Sequence, residues 1–159
     1  GQIPNIISGL NLGLNYKGFD LAASFQGAFG YYKRVSLGSF TQTFFDNRWT
    51  AENNNAQALI PRLGGASTNG LLSDRNFIKS DYLRLRSIAV GYSLPTSLLS
   101  PVHIREARIY IGGTNLFTLS ELNKLDLDPE SPYTIQDGQP TTSYYPQQKT
   151  IMLGVNISL

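Results

Sequence analysis

The chain has 159 residues, a formal net charge of +2 and only 15% charged residues. That length suits one domain, but soluble domains carry about 25% charge, and so small a positive surplus without a run of Lys and Arg argues against a nucleic-acid partner. There is no Cys, hence no disulfide framework or Cys metal site, and no stretch nears the roughly 18 apolar residues of a membrane helix.

The opening GQIPNIISGL has no basic start and no continuous apolar run, so an export address is expected upstream of these residues. From residue 7 the chain alternates. Leu10, Leu12, Leu14 and Tyr16 share one parity, and Asn11, Gly13 and Asn15 the other. A period of two predicts a strand over 7–16 with one apolar and one polar face. Lys17-Gly18 places Gly where positive φ is needed and predicts a tight hairpin into a second strand over 19–32. There Phe19, Leu21, Ala23, Phe25, Phe29 and Tyr31 share one face; Asp20, Ser24 and Gln26 share the other.

Residues 33–76 are rich in Asn, Gly, Ser and Thr and hold the single Trp, Trp49. They are too long for an ordinary connection in a compact domain. A third strand is predicted over 80–94. Leu83 and Leu85 have one parity, and Ile88, Val90, Tyr92 and Leu94 the other, so an extra residue, a β-bulge, is expected near Arg86-Ser87. Pro95 ends the strand. TSLLSPVHI then predicts a helical turn capped by Thr96 or Ser97 and stopped by Pro101. A fourth strand over 105–119 sets Ala107, Ile109 and Ile111 against Arg108, Tyr110, Gly112 and Thr114. A second polar loop, 120–148, precedes a fifth strand over 149–159, where Ile151, Leu153, Val155, Ile157 and Leu159 alternate with small or polar residues.

The links run short, long, fairly short, long. Transmembrane β-barrels have this asymmetry, with strands of about 9–11 residues, brief periplasmic turns and longer outer loops. Tyr16, Phe19 and Tyr92 at the short ends and Phe29, Tyr31 and Tyr32 at the long end predict two aromatic girdles. Five strands cannot close a barrel, so the expected architecture is all-β: five antiparallel strands of a larger transmembrane barrel, with the C-terminus periplasmic. The competing reading is a soluble β-sandwich carbohydrate-binding module, its apolar face against a dry core.

Several segments resemble the C-terminal end of the SusC/RagA family of TonB-dependent outer-membrane transporters of Bacteroidetes. YKGFDLAASFQGAFG at 16–30 is similar to that family's late hairpin. NRWTAENNNAQALIPRL at 47–63 resembles its outer loop, with Arg48, Trp49, Thr50, Glu52, Asn53, Pro61 and Arg62 in matching places. SDYLRLRSIAVGYSLP at 80–95 is the most specific block. RIYIGGTNLFTLS at 108–120, Asp128-Pro129-Glu130 and YYPQQKTIMLGVNISL at 144–159 follow in order. The resemblance implies about 22 strands around a plug, a SusD-like surface lipoprotein over the mouth, a glycan or oligopeptide substrate, and import powered through TonB. It places the plug, the TonB-contacting segment and about 17 strands outside these residues, and it has the last strand closing the barrel. The family usually ends in an aromatic residue; this chain ends in Leu159.

No cofactor or enzymatic activity is expected. His103 is the single His, there is no Cys, and no Ser stands in G-x-S-x-G, so no nucleophile–base set can be assembled. Gly112-Gly113 lies within a strand and is no phosphate loop. Asp126, Asp128 and Glu130 form D-x-D-P-E, weak candidates for Ca²⁺ against the default of a solvated acidic loop. Arg84, Arg86 and Arg108 are expected to face the lumen, where they would pair with plug carboxylates. Trp49, Tyr144 and Tyr145 are the ligand or partner candidates in the loops, since aromatic faces stack on sugars and anchor proteins.

Overall fold

The computed structural model describes residues 1–34, 42–52, 58, 60–62, 74–131, 134–136, 139–141 and 147–159. Two compact units divide the chain. One comprises Gly1–Ile6, Ala28–Tyr82 and Leu119–Pro146; the other comprises Ile7–Gly27, Leu83–Thr118 and Gln147–Leu159.

The second unit is a sheet. Its long strands are β1 (Ile6–Tyr16), β2 (Phe19–Phe29), β5 (Tyr82–Ser93), β6 (Glu106–Thr114) and β10 (Thr150–Ser158), hydrogen-bonded in that order. Each pairs with its neighbour among the long strands in sequence, as in an up-and-down meander. The ladders β5–β6 and β6–β10 are antiparallel, with Gly91, Tyr110 and Gly154 in one cross-strand row and Val90, Ile111 and Leu153 in the next. A short strand, β7 (Thr118–Ser120), also pairs with β5.

All eleven residues of β1 are exposed, and in β10 Leu153 and Ile151 are 77% and 73% exposed. A sandwich would bury such a face under a second sheet. Among the described residues nothing covers the apolar stripe of this sheet, whereas the dry-core alternative requires a covering layer.

Lys17 (φ 48°) and Gly18 (φ 86°) form the β1–β2 turn. Two successive positive φ values define the type I′ hairpin, whose twist matches its strands. A Cβ on Gly18 would lie 3.0 Å from the Ser93 carbonyl, so glycine is needed there for space as well as for φ. Phe19 and Tyr92 meet at this end, ring centroids 4.5 Å apart.

Five expectations change. The second strand stops at Phe29, because Gly30 turns at φ 77°. Tyr31 is then buried with Ala28 and Tyr82 and donates to the Pro129 carbonyl at 3.0 Å, so it is a core residue and no girdle residue. The fourth strand ends at Thr114, where Asn115 adopts φ 51°. The helical turn after β5, α2 (Thr96–Leu99), is capped by Pro95 and not by Thr96 or Ser97; no side chain bonds its first turn. Pro101 does not end helical structure either, since it lies in the first turn of a 3-10 helix, Ser100–Val102, which closes at His103 with φ 58°.

Near Arg86 the alternation slips. Ser87 opposes Thr114, while Arg86 bonds Gln26, which lies on the polar face of β2, so two adjacent residues of β5 share a face. Across the strand, the Asn115 N–H donates to the Arg86 carbonyl and the Leu85 N–H to the Phe117 carbonyl. Between these two bonds β5 advances one residue while its partner advances two, so the extra residue lies in the partner strand between Asn115 and Phe117 and not in β5 at Arg86-Ser87 as expected.

The first unit contains the short antiparallel pairs β3 (Tyr32–Arg34) with β4 (Phe77–Lys79) and β8 (Thr134–Gln136) with β9 (Gln139–Thr141), and a short helix, α1 (Gln42–Asp46). Ile60, Ile78, Leu122 and Leu125 form its core, with Leu127 against them.

Candidate functional site

The polar face of the sheet is built from residues that alternate with the apolar stripe. Arg108 on β6 grips Asp20 on β2 with two parallel bonds, Nε to Oδ1 at 2.8 Å and the second nitrogen to Oδ2 at 2.5 Å. Strand β5 lies between those two strands. The guanidinium crosses it at Gly91, where a Cβ would overlap the guanidinium atoms. The same guanidinium carbon lies 5.0 Å from the centroid of the Tyr110 ring. Tyr110 in turn covers Gly154 of β10, where a Cβ would overlap the ring.

The three arginines singled out from sequence thus have partners within the sheet. Arg84 is 3% exposed and donates from Nε to Thr118 Oγ1 at 2.8 Å; Arg86 donates to Gln26 Oε1 at 2.7 Å; Arg108 holds Asp20. Charged partners of this kind are shorter and stronger than neutral pairs.

Around the turn Asp128–Ser131 the first unit gathers polar groups. Tyr31 holds the Pro129 carbonyl, Tyr82 donates to Glu130 Oε1 at 2.9 Å, and Lys33 reaches the Ser131 carbonyl. The turn closes on itself, since the Glu130 N–H donates to Asp128 Oδ1 and the Ser131 hydroxyl to the Asp128 carbonyl. Burial pushes the Lys33 ammonium below the usual lysine range, and the carboxylates of Asp128 and Glu130 oppose that shift. At the start of β5, Asp81 accepts from the Gly30 N–H at 2.6 Å and pairs with Lys79 at 3.1 Å. Its burial pushes its pKa up, but Lys79 and the backbone N–H groups of Gly30 and Tyr31 outweigh that and hold the carboxyl below the usual range. Lys79 is raised by the same partner.

The weak metal candidates serve separate contacts. Asp126, at φ 54°, accepts from Thr43 Oγ1; Asp128 holds its own turn; Glu130 holds Tyr82. Among the described residues, no group of three or more His, Cys, Asp or Glu side chains is placed to hold a metal. Trp49 is half-buried and donates its backbone N–H to the Ile60 carbonyl at 2.9 Å, which ties it to the edge of the core. Tyr144 and Tyr145 lie outside the described residues. His103 is exposed in the α2–β6 link. Sequence reasoning missed Lys33 and Tyr82, and the roles of Gly91 and Gly154. A single glycine on the polar face of a strand is the signal that could have found the last two.

No family model matches the chain. It is 27% identical over 172 aligned positions to TonB-dependent receptor P26 of Formosa agariphila, covering 98% of this chain and 17% of the relative. It is 29% identical over 168 positions to TonB-dependent receptor P3 of the same organism, covering 97% and 16%. The chain therefore spans about a sixth of the length of these relatives. Among solved structures, the RagAB peptide importer in its open-open state superposes with TM-score 0.67 at 24% identity, over 99% of this chain and 17% of that one. Its closed-closed state gives 0.66 at 24% identity, over 98% and 17%. In sequence the chain is similar to a segment of TonB-dependent receptors, and in fold to an antiparallel segment of the RagAB structures.

Proposed function

We propose that the protein is an outer-membrane importer of oligopeptides or glycans, and that this chain is part of its wall. The observation that carries the reading is the two-faced sheet. One side is a bare apolar stripe that lipid would cover, and the other is polar and internally hydrogen-bonded, as suits a wet lumen. The tight Lys17-Gly18 turn and the 94–105 link then lie on the periplasmic side, as does the C-terminus. Loops 33–76 and 120–148 face outward, toward a SusD-like lipoprotein and the substrate. TonB acts through a part of the protein beyond these residues. Arg84, Arg86 and Arg108 line the lumen beside the plug, and Trp49, Tyr144 and Tyr145 are the loop residues proposed to meet ligand or lipoprotein. The segment performs no chemistry. The RagAB neighbours, which are peptide importers, favour oligopeptide over glycan.

The test is expression of these 159 residues alone, without detergent, followed by size exclusion and a thermal melt. Aggregation that is relieved by detergent or by supplying the remaining strands is expected. A soluble monomer with one cooperative transition would overturn the reading.

A further inference from the structure

Alternation excludes only half of the wrong pairings between strands. A slip by one residue flips every side chain to the other face and puts apolar groups in the lumen. A slip by two keeps every apolar residue on the lipid side, so the pattern by itself permits it. We infer that Gly91 and Gly154 are register notches: each admits one large side chain from β6, and together they exclude the even slips that alternation leaves open.

The argument rests on which residues share the polar face. On β5 they are Ser87, Ala89, Gly91 and Ser93, opposite Thr114, Gly112, Tyr110 and Arg108. Of these four only Gly91 lacks a Cβ, and the Arg108 guanidinium lies where that Cβ would be. Moving β6 by two residues brings the guanidinium onto Ala89 or Ser93, whose Cβ atoms it would overlap. On β10 the face carries Thr150, Met152, Gly154, Asn156 and Ser158. Only Gly154 lacks a Cβ, and the Tyr110 ring fills the space. A two-residue slip sets the ring against Met152 or Asn156. Both knobs come from β6, two residues apart, and one notch lies on each neighbouring strand. Strand β6 is thereby keyed on both sides, and the pair to Asp20 carries the key one strand further, to β2. Glycine inside a strand marks such close approaches.

Disulfide trapping tests this in the complete barrel protein, assembled in its membrane. This chain contributes no Cys of its own. Cys at Val90 and Ile111, or at Ile111 and Leu153, reports the native register; Cys at Ile88 and Ile111, or at Ile111 and Ile151, reports a slip by two. Directly opposed residues can form a disulfide, and diagonal ones, about 7–8 Å apart, cannot. Gly154→Val is expected to lower the Ile111–Leu153 disulfide at least about fivefold, the lower bound for forcing extra carbon atoms into a filled site. Gly91→Val is expected to do the same to Val90–Ile111. Because either variant can simply fail to assemble, the deciding variant adds Tyr110→Ala to Gly154→Val. Recovery of the native disulfide supports a notch emptied of its knob. Failure to recover it means that Gly154 acts through its backbone, and overturns the inference. So does a native disulfide at wild-type yield in the Gly91→Val and Gly154→Val variants.

Discussion

Leu153→Arg tests the assignment of the apolar stripe to lipid. Leu153 is the fourth of nine residues in β10 and is 77% exposed. Nine residues at about 3.4 Å each give about 30 Å, and a tilt of about 40° leaves about 23 Å along the membrane normal, close to the apolar band of about 25 Å. Leu153 stands one residue from the strand's centre at Gly154, so an Arg there meets nearly the full midplane cost of about 2–4 kcal/mol, roughly a 30- to 700-fold loss of folded protein at equilibrium. Ile157, one residue from the strand's end, should cost only about 0–1 kcal/mol as Arg. Asn156 opposes Arg108 on the polar face, so Asn156→Arg adds a like-charge contact worth about 0.2–1 kcal/mol, still the smaller effect. The assay is refolding of the complete barrel into lipid vesicles across a urea series, with the folded fraction read by heat-modified gel mobility. Equal losses for Leu153→Arg and Asn156→Arg would refute the assignment of faces.

Asp20→Ala leaves the partly exposed Arg108 guanidinium without its carboxylate and should lower the urea midpoint; adding Arg108→Ala should then remove no further ion-pair contribution, because the pair acts as a unit. Gly18→Ala places a Cβ at positive φ and 3.0 Å from the Ser93 carbonyl, and should lower stability by about 1–2 kcal/mol in the same assay. The folded Asp81 carboxyl lies below its ordinary value of 3.8, so the stability it contributes is full above that value and is lost as pH falls through the lower folded one. Urea midpoints taken down an acid series should show that loss, and Asp81→Asn should remove this part of the pH dependence. Tyr82→Phe removes the bond to Glu130 and should loosen the Asp128–Ser131 turn by about 0.5–1.5 kcal/mol, read as faster proteolysis of that segment.

The long strands and their faces were legible because period two is a local signal, carried by residues such as Leu153 and Asn156 without help from the rest of the chain. The hairpin was legible for the same reason, since Lys17-Gly18 specifies its own turn. What was not legible depends on distant partners. Tyr31 fits the alternation perfectly, yet Gly30 turns the chain and the ring finds the Pro129 carbonyl 98 positions away. Arg108 invited a carboxylate on another part of the protein, and it found Asp20, 88 positions away on the same face. The helix cap was misread because Thr96 and Ser97 have capping side chains, while the backbone entered the turn one residue earlier, at Pro95. Arg84 and Arg86 were correctly placed on strands, but Thr118 and Gln26 could be named as their partners only once the strands were paired.

The clasp at the root of the first long loop has an evolutionary consequence. Gly30 and Asp81 are bonded at 2.6 Å, and Tyr31 and Tyr82 pack together beside them, so the two stems of the loop are tied to each other before the intervening sequence is consulted. Once the stems are tied, lengthening the segment between them adds only about 0.6 kcal/mol of closure entropy for each doubling. Insertions between Arg34 and Asp74, away from the core residue Ile60 and the Trp49 bonded to it, should therefore be tolerated as raw material for new binding specificities, while the strands that carry them inherit almost no pressure to change.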